Sequence, residues 1–281
     1  MAILIDKESR VIIQGITGKQ GSFHAKEMLK YGTKIIAGVT PGKGNQKIEG
    51  IPIYDNVKEA LKKHDADWSI IFVPAKFAKN AALEALENNL NIVIITEGMP
   101  IHDTLKILNL AKKKNLKVIG PNTAGIISPG ECKIGIMPNC IFKKGPIGVI
   151  SRSGTLTYEI IETIKDLGQS TVIGIGGDQA IGLNFIEALK LFENDPATKK
   201  IILIGEIGGE LEEKAAEFIK NDFKKEVIAY IAGVSAPKGK KMGHAGAIIS
   251  GNAGTAISKI KALEEAGVKI AKFPSDIPKL F

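Results

Sequence analysis

Short apolar runs alternate with helical segments along the chain, and this alternation limits the possible folds more than any other feature. The runs lack regular polar positions, so a strand formed by one of them must be covered on both faces of its sheet. Helices between such strands provide that cover in a doubly wound parallel sheet. In the first half we predict strands at residues 11–13, 34–39, 69–73, 92–95 and 117–119, with the clearest helices at 76–88 and 104–114.

The alternation stops in a segment rich in proline and glycine and then starts again. Residues 121–145 have little periodicity, which indicates a boundary between two domains. We predict an α/β architecture throughout: a Rossmann-like domain over residues 1–121, a linker over 122–145, and a flavodoxin-like doubly wound domain over 146–281. The second domain has predicted strands at 147–150, 170–175, 201–206 and 227–231, and predicted helices near 155–167, 184–194, 211–221 and 253–266.

Charge and composition narrow the range of partners. The net charge of +8 is spread over lysines along the chain, and aromatic residues make up only 5%. Nucleic-acid binding proteins usually gather basic residues on one element with aromatic side chains between them, so we expect no nucleic-acid partner. Cys132 and Cys140 are too few for a disulfide framework and lack the spacing of zinc ligands. So few cysteines indicate a reducing, cytoplasmic compartment, and since no apolar run reaches the roughly 18 residues that span a membrane, we expect a soluble protein.

The loop after the first strand has the position of a phosphate-binding turn. It reads Gln14-Gly15-Ile16-Thr17-Gly18-Lys19-Gln20-Gly21, and a helix is predicted after it. Its glycines do not follow the G-x-G-x-x-G pattern, and its Gly-Lys pair is not followed by the Ser or Thr of a P-loop. Backbone amides at the start of the helix, together with the Thr17 hydroxyl, can nonetheless hold a phosphate. The alternative is a tight strand-to-helix turn without a ligand.

The residues that follow the second predicted strand show whether the loop suits NAD or another nucleotide. NAD enzymes place an acidic residue there, about 20 residues beyond the first glycine, to bind the ribose hydroxyls. The chain instead has Gly38-Val39-Thr40-Pro41-Gly42-Lys43-Gly44. Lys43 suits a phosphorylated ribose, as in coenzyme A or NADP, although it also fits an ordinary exposed loop. Ile95, Thr96 and Glu97 end the fourth strand at the same sheet edge and could contact the same ligand.

Two strand ends of the second domain carry candidate functional groups. Ser153, Gly154 and Thr155 follow the first strand of this domain, where a helix is predicted to begin, so their amides form either an anion site or a simple helix cap. Tyr158 lies one turn further along the same helix. Glu206 ends another strand and is followed by Gly208 and Gly209, an unusual setting for a residue that prefers helices.

His244 lies among small residues in the segment Met242-Gly243-His244-Ala245-Gly246-Ala247, downstream of Lys238, Lys240 and Lys241. Neutral imidazole is a good nucleophile near pH 7, and glycines beside it let a bulky group approach. The segment fits a covalently loaded histidine, for example a phosphohistidine, or else a histidine in a glycine-rich surface turn. Glu206 could accept a hydrogen bond from this ring and fix which nitrogen attacks. The sequence has no G-x-S-x-G motif and no paired-histidine metal motif, which argues against hydrolysis and against metal-assisted mechanisms held by this chain alone.

Seven segments occur in one order over nearly the whole chain. Beyond the loops at 14–21 and 38–44, they are Ile95-Thr96-Glu97-Gly98, Gly120-Pro121-Asn122, the stretch at 151–159, Gly205-Glu206-Ile207-Gly208-Gly209 and Gly243-His244-Ala245-Gly246-Ala247. Together they closely resemble the alpha subunits of succinate–CoA ligases. One residue departs from the family: Thr123 stands where some relatives have cysteine, so no thiol is expected near the coenzyme at that position.

The resemblance implies that succinate, coenzyme A and a nucleoside triphosphate react reversibly to give succinyl-CoA, nucleoside diphosphate and phosphate. It implies that His244 is phosphorylated on a ring nitrogen, that Glu206 orients it, and that Tyr158 serves the substrate region. Residues 153–155 would stabilise the phosphoryl charge. ATP or GTP with magnesium would bind a beta subunit with an ATP-grasp fold, in an αβ or α2β2 assembly, and this chain would hold no metal. The implied coenzyme A site comprises Thr17, Gly18, Lys19, Gln20, Lys43, Ile95, Thr96 and Glu97.

Three other functions fit part of the pattern. A related acyl-CoA ligase acting on malate or acetate would share the same motifs, because the choice of acid can rest on few contacts. An NADP-linked oxidoreductase would fit Lys43 but would leave the second domain and His244 without a purpose. A non-catalytic coenzyme A or nucleotide sensor would need neither His244 nor Glu206.

Overall fold

The computed structural model describes residues 2–237, 242–249 and 254–281, which form two α/β units, each built on a seven-stranded sheet. The first sheet has the strand order β3-β4-β2-β1-β5-β6-β7. Its strands are β1 (Arg10–Gln14), β2 (Lys34–Val39), β3 (Lys47–Ile48), β4 (Ile51–Tyr54), β5 (Trp68–Ile71), β6 (Asn91–Ile94) and β7 (Val118–Ile119). Its helices are α1 (Lys19–Tyr31), α2 (Val57–Leu61), α3 (Ala75–Glu87) and α4 (Ile101–Lys114).

The first sheet confirms the predicted Rossmann-like topology. Strand β3 pairs antiparallel with β4, and the other six strands are parallel. Counted without β3, they have the order 3-2-1-4-5-6 of dinucleotide-binding folds. Ligands of such sheets bind at the carboxyl ends of the strands, where the strand order reverses beside β1. The loop after β1 therefore lies at the expected ligand position.

The second sheet has the order β14-β13-β12-β10-β11-β8-β9. Its strands are β8 (Gly125–Ser128), β9 (Cys132–Gly135), β10 (Lys144–Ser151), β11 (Gln169–Gly174), β12 (Lys200–Glu206), β13 (Glu226–Ala232) and β14 (Lys269–Ala271). Its helices are α5 (Gly154–Thr163), α6 (Phe185–Glu193), α7 (Leu211–Asp222) and α8 (Ala256–Glu265), followed by a 3-10 helix at Pro274–Leu280. The parallel strands β10 to β14 have the 2-1-3-4-5 order of flavodoxin-like folds, as predicted.

The segment 122–145, predicted as a linker, instead contributes two strands to the second sheet. Strands β8 and β9 pair antiparallel, and β8 also pairs antiparallel with β11. Gly125 and Gly135 are opposite one another, and a Cβ on either would lie within 2.8 Å of the other's Cα. Glycine is required here because the two backbones approach so closely, whereas in the sequence it reads as a turn residue.

All of the predicted strands and helices are present in the structure, and the additional elements are short or at an edge. All nine predicted strands and the predicted helices have counterparts, with ends that differ by a few residues. The helix predicted over 253–266 begins at Ala256, where the Thr255 hydroxyl caps it by accepting from the Ser258 N–H. Position 253 itself lies outside the described residues. In the part of the chain that the structure describes, no helix is long and apolar enough to cross a membrane.

Hydrogen bonds between the two units hold them against each other. The Leu183 N–H donates to the Val118 carbonyl at 2.7 Å, and the Gly182 N–H donates to the Gly120 carbonyl at 2.9 Å. On the other side of the interface, the Thr33 hydroxyl donates to the Lys133 carbonyl at 2.7 Å. Buried side chains of both units belong to one continuous apolar cluster. The two sheets therefore form a single packed body.

Candidate active site

The carboxyl ends of three neighbouring strands in the second unit form the candidate site. Strand β10 lies between β11 and β12, so the turns that follow these strands leave the same sheet edge side by side. These turns bring Arg152, Gly177 and Glu206 to that edge. The segment 242–249, which follows the neighbouring strand β13, packs onto them and carries His244.

His244 is hydrogen-bonded to Glu206, as the sequence suggested. Nδ1 of the imidazole lies 2.8 Å from Oε2 of Glu206, whose side chain is 8% exposed. A carboxylate can only accept, so the proton of the neutral ring is held on Nδ1 and the lone pair remains on Nε2. The His244 side chain is 27% exposed, which leaves the ring accessible. In this geometry Nε2 is the ring nitrogen whose lone pair is free.

The histidine segment is a compact turn anchored at its carboxyl end. The Met242 N–H donates to the Ala247 carbonyl at 2.9 Å, and the Ala247 N–H donates to the His244 carbonyl at 3.1 Å. The side chains of Ala247 and Ile249 are buried and hold the segment on the unit. Lys238, Lys240 and Lys241, which the sequence places near His244, lie outside the described residues.

The loop after β11 contacts the imidazole face through Gly177, a residue that the sequence analysis did not single out. A Cβ on Gly177 would lie 2.6 Å from Nδ1 of His244. The Gly177 carbonyl also accepts a hydrogen bond from the Gly246 N–H at 3.0 Å. The next residue, Asp178, accepts a hydrogen bond from the Asn122 side-chain amide at 3.0 Å and adds a negative charge near the ring.

Arg152 is buried beneath the histidine segment and was likewise not assigned a role from the sequence. Its Nη2 lies 3.4 Å from Oε1 of Glu206, and its Nη1 donates to Oε1 of Glu212 at 3.0 Å. Nη1 also donates to the Gly208 carbonyl at 3.1 Å. Arg152 therefore faces the carboxylate oxygen of Glu206 that does not bind His244.

The surroundings of His244 raise its pKa above the ordinary value of 6.5. The largest cause is the hydrogen bond to Glu206, and the charges of Glu206 and Asp178 act in the same direction. Burial of the ring and the positive charge of Arg152 oppose the rise. The balance among these groups decides the pH range in which the imidazole is neutral, the form in which a histidine can act as a nucleophile.

The amino end of helix α5 opens at the same sheet edge. The Ser153 hydroxyl caps this helix by accepting from the Leu156 N–H at 3.3 Å, and Gly154 and Thr155 form its first turn. Burial raises the pKa of Tyr158 to about 12, so its hydroxyl keeps its proton. Among the described residues this hydroxyl has no hydrogen-bond partner. The hydroxyl oxygen is also buried, so this structure shows no ligand contact for it.

In the first unit, the carboxyl edge of the sheet contains a cleft of about 740 Å³ between the loop after β1 and helix α3. Gly15 has a φ of +82°, and a Cβ on Gly21 would lie 2.9 Å from the Gly15 carbonyl carbon. These glycines bring helix α1 close to strand β1. The cleft is lined on one side by Thr17, Gly18, Thr40 and Pro41, and on the other by Phe72, Val73, Pro74, Phe77 and Asn80.

Comparison with known proteins identifies both units. Residues 6–98 match the family described as a CoA binding domain, and residues 150–269 match the family described as CoA-ligase. The chain is 55% identical to the succinate–CoA ligase [ADP-forming] subunit alpha 2 of Archaeoglobus fulgidus, over all of this chain and 98% of that one. It belongs to the family of succinate–CoA ligase alpha subunits. The alpha subunit of Aquifex aeolicus is 53% identical, over 99% of this chain and 92% of its own length.

Solved structures show that the fold of this alpha-subunit family member also occurs within larger chains. ATP citrate lyase from Methanothrix soehngenii, solved with citrate and coenzyme A, aligns with a TM-score of 0.92 at 26% identity. The alignment covers 99% of this chain and 50% of that chain, so this chain spans about half the length of the lyase. The dinucleotide-forming acetyl-coenzyme A synthetase 1 of Ca. Korarchaeum cryptofilum aligns with a TM-score of 0.74 at 21% identity, which shows a shared fold alone.

The structure places the residues proposed from the alpha-subunit resemblance in two groups. Glu206 and His244 are in contact, with Ser153, Gly154, Thr155 and Tyr158 on the helix that starts at the same edge. In the first unit, Thr17 and Gly18 line the cleft, Lys19 and Gln20 form the exposed first turn of α1, and Lys43 is exposed in the turn after β2. Ile95, Thr96 and Glu97 follow β6, and the Thr96 hydroxyl donates to the carbonyl of cleft residue Val73 at 2.7 Å.

The sequence analysis missed the opposite wall of the cleft. The sequence pattern predicts the end of a strand and then a helix over residues 72–81, and it assigns no ligand contact to them. In the structure Phe77 is 53% exposed and lines the cleft. The signal was present in principle, because an apolar residue in the first turn of a helix after a parallel strand lies at the ligand edge.

Proposed function

We propose that this chain is the alpha subunit of an ADP-forming succinate–CoA ligase and that His244 carries the phosphoryl group during turnover. The observation that carries this proposal is the hydrogen bond between His244 Nδ1 and Glu206, which leaves Nε2 as a nucleophile at an open sheet edge. The relatives named as ADP-forming alpha subunits, over nearly their full length, support it. The reaction joins succinate and coenzyme A, converts ATP to ADP and phosphate, and is reversible.

The first step is phosphorylation of His244. The Nε2 lone pair attacks the γ-phosphorus of ATP, the bond from that phosphorus to the bridging oxygen breaks, and ADP leaves. The Nδ1 proton stays in the hydrogen bond to Glu206, whose negative charge stabilises the ring as it loses electron density. The first-turn amides of α5, at Gly154 and Thr155, together with the helix dipole, stabilise the charge of the phosphoryl group.

Two further transfers complete the reaction. A carboxylate oxygen of succinate attacks the phosphorus, the N–P bond breaks, and His244 is released as succinyl phosphate forms. The coenzyme A thiolate then attacks the activated carbonyl carbon, and inorganic phosphate leaves with the electron pair of the broken C–O bond. Tyr158, on helix α5, borders the region that binds the acid. Splitting one condensation into easier transfers is the usual gain of covalent catalysis.

We place coenzyme A in the cleft of the first unit. Thr17, Gly18, Lys19 and Gln20 offer a hydroxyl, the amides of a helix start and a positive charge to its diphosphate. Lys43 pairs with the 3′-phosphate, and residues 95–97 extend the site toward the second unit. Thr123 has a hydroxyl in place of a thiol, and this hydroxyl donates to the Gly174 carbonyl and accepts from the Gly125 N–H at 2.9 Å.

The nucleotide requires a partner chain in this proposal. Within the described residues there is no group of three or more histidine, cysteine, aspartate or glutamate side chains that could hold a metal ion. We propose that ATP and its magnesium bind a beta subunit with an ATP-grasp fold, in an αβ or α2β2 assembly. Cys132 and Cys140 are both free thiols, which suits a reducing cytoplasmic compartment.

The test is phosphorylation of the purified alpha–beta complex by γ-labelled ATP. We expect this chain to take up label that is labile in acid and stable in base, as a phosphoramidate is, and to release it on addition of succinate and coenzyme A. Turnover with succinate should exceed turnover with malate or acetate. Absence of label from this chain under turnover conditions contradicts the proposal, and faster turnover with malate or acetate contradicts the choice of acid.

Replacing Lys43 with alanine is expected to weaken binding of coenzyme A about tenfold, because one charge-assisted hydrogen bond to the 3′-phosphate is lost. Binding of dephospho-coenzyme A, which lacks that phosphate, should not change. Calorimetric titration of both ligands measures the difference. Lys106→Ala, the same substitution on the exposed face of α4, is the matched control and should affect neither ligand. Equal weakening of both ligands by Lys43→Ala would remove the role in binding the 3′-phosphate.

A further inference from the structure

Behind Glu206 lies a row of buried charges that the reaction steps above do not use. It runs from Glu206 through Arg152 and Glu212 to Lys259, and positive and negative side chains alternate along it. The side chains of Glu212 and Lys259 are 0% exposed, and that of Arg152 is 2% exposed. One end of the row is the Glu206 carboxylate that binds His244, and the other end is Lys259 on helix α8.

Glu212 is linked to Glu206 by a direct hydrogen bond and by a second path through Arg152. Its Oε1 accepts from the backbone N–H of Glu206 at 3.1 Å and from Nη1 of Arg152 at 3.0 Å. Arg152 in turn presents Nη2 to Oε1 of Glu206 at 3.4 Å. One carboxylate oxygen of Glu212 therefore fixes both the main chain of Glu206 and the guanidinium that faces its carboxylate.

Lys259 fixes Glu212 from the other side. Its ammonium group donates to Oε2 of Glu212, to Oε2 of Glu213 at 2.9 Å and to the Gly209 carbonyl at 2.9 Å. A lysine has three N–H donors, and all three have acceptors here. These three bonds fix the position of the Lys259 ammonium group, and the bond to Glu212 in turn fixes the position of that carboxylate.

The chain leaves space for Glu212 at this place. A Cβ on Gly205 would lie 2.7 Å from Cγ of Glu212, so the glycine before Glu206 is needed for the buried carboxylate to fit. Apolar side chains that replace a buried group of paired charges often leave a protein equally stable. Stability alone therefore does not account for this row, whereas control of the geometry at Glu206 does.

We propose that Glu212 and Lys259 are positioning residues for His244, which act through Arg152 to hold Glu206 and to set the pH range in which the ring is neutral. The proposal rests on the proposed function to the extent that His244 is the nucleophile. It predicts that a change of charge at Glu212 or Lys259 shifts the titration midpoint of the His244 imidazole, although neither side chain contacts the ring.

The direction of each effect follows from the charges that face His244. These are Glu206 from β12, Arg152 from the end of β10 and Asp178 from the loop after β11. Without Lys259, Arg152 turns toward the uncompensated Glu212 and away from Glu206, so Glu206 holds the protonated ring more strongly. Without the charge of Glu212, Arg152 neutralises Glu206 more fully, and the protonated ring is held less strongly.

The experiment follows the imidazole nitrogens of His244 by NMR during a pH titration of the ¹⁵N-histidine-labelled alpha–beta complex. We expect the titration midpoint to rise by about half a pH unit in Lys259→Met and to fall by about the same amount in Glu212→Gln. The double variant, which removes one charge of each sign, should return to the parent midpoint. Lys133→Met, which removes a comparably buried lysine that lies over the Tyr31 ring of helix α1, should lower stability without moving the midpoint.

Shifts of the same sign in the two single variants, or no shift in either, would overturn the proposal, because general destabilisation cannot give opposite shifts. If the single variants do not fold, Glu213→Gln replaces them, since that side chain is 26% exposed. It should lower the midpoint in the direction of Glu212→Gln, and an unchanged midpoint counts against the proposal. The parent complex is labelled with γ-labelled ATP in parallel. Opposite midpoint shifts without label on the parent would refute the proposed function and leave the positioning role standing.

Discussion

Replacing His244 with asparagine is expected to abolish phosphorylation of this chain and to lower turnover of the complex by at least about 10⁴-fold, since the nucleophile itself is lost. Asparagine retains a side-chain N–H that can donate to Glu206, so the packing of the segment at 242–249 should survive. It offers no nucleophilic lone pair equivalent to Nε2, because the amide nitrogen is delocalised into the carbonyl. The measurements are label incorporation from γ-labelled ATP and the rate of succinyl-CoA formation.

His102→Asn is the matched control, because it makes the same substitution at an exposed position on helix α4. Label and turnover should remain at the level of the parent. A His244→Asn chain that takes up as much label as the parent would place the phosphoryl group on another residue. Mass spectrometry of the labelled chain then identifies that residue and replaces the mechanism proposed above.

The elements that could be predicted from the sequence are those whose burial is visible in one stretch of chain. Residues 34–39 and 201–206 are apolar enough that only a strand covered on both faces suits them, and β2 and β12 lie there. Residues 125–135 could not be recognised in this way. The need for glycine at 125 and 135 appears only when the two strands are paired, and pairing is not visible in a single stretch of chain.

Some residues of the candidate site can likewise be recognised from their sequence neighbours, and others only from the fold. Glu206 and His244 can be singled out from the sequence because each is chemically unusual among its neighbours, and the structure brings the two into contact. Arg152 and Glu212 are 60 positions apart, and Glu212 and Lys259 are 47 apart, so their contacts are produced by the fold. Lysine and glutamate on amphipathic helices normally face solvent, and the sequence gives no sign that these two are buried.

Gly177, which the sequence analysis did not single out, is expected to be essential for fast phosphorylation of His244. Gly177→Ala is expected to slow phosphorylation of His244 about 100-fold, because displacement of a reacting group by roughly 1 Å can have that consequence. The added methyl group would lie 2.6 Å from Nδ1 and 2.8 Å from Cδ2 of the imidazole, well inside van der Waals contact. The ring must move away, and its hydrogen bond to Glu206 is lost with that movement. The rate of label incorporation from γ-labelled ATP measures the loss.

A glycine-to-alanine change can also act by destabilising the fold, and Gly267→Ala separates the two causes. Gly267 has a φ of +80° and no atom within 4 Å of the added methyl group, so alanine there strains the backbone after α8 without approaching the imidazole. Gly177 carries no such backbone restriction, and its side-chain position is blocked by His244. We therefore expect the Gly267→Ala chain to have a lower melting temperature but to take up label at the parent rate. The Gly177→Ala chain should keep the parent melting temperature but take up label more slowly. Coenzyme A binding should be unchanged in both. If Gly177→Ala labels at the parent rate, the imidazole does not react from the position it occupies against Gly177, and the hydrogen bond to Glu206 is not the reactive arrangement.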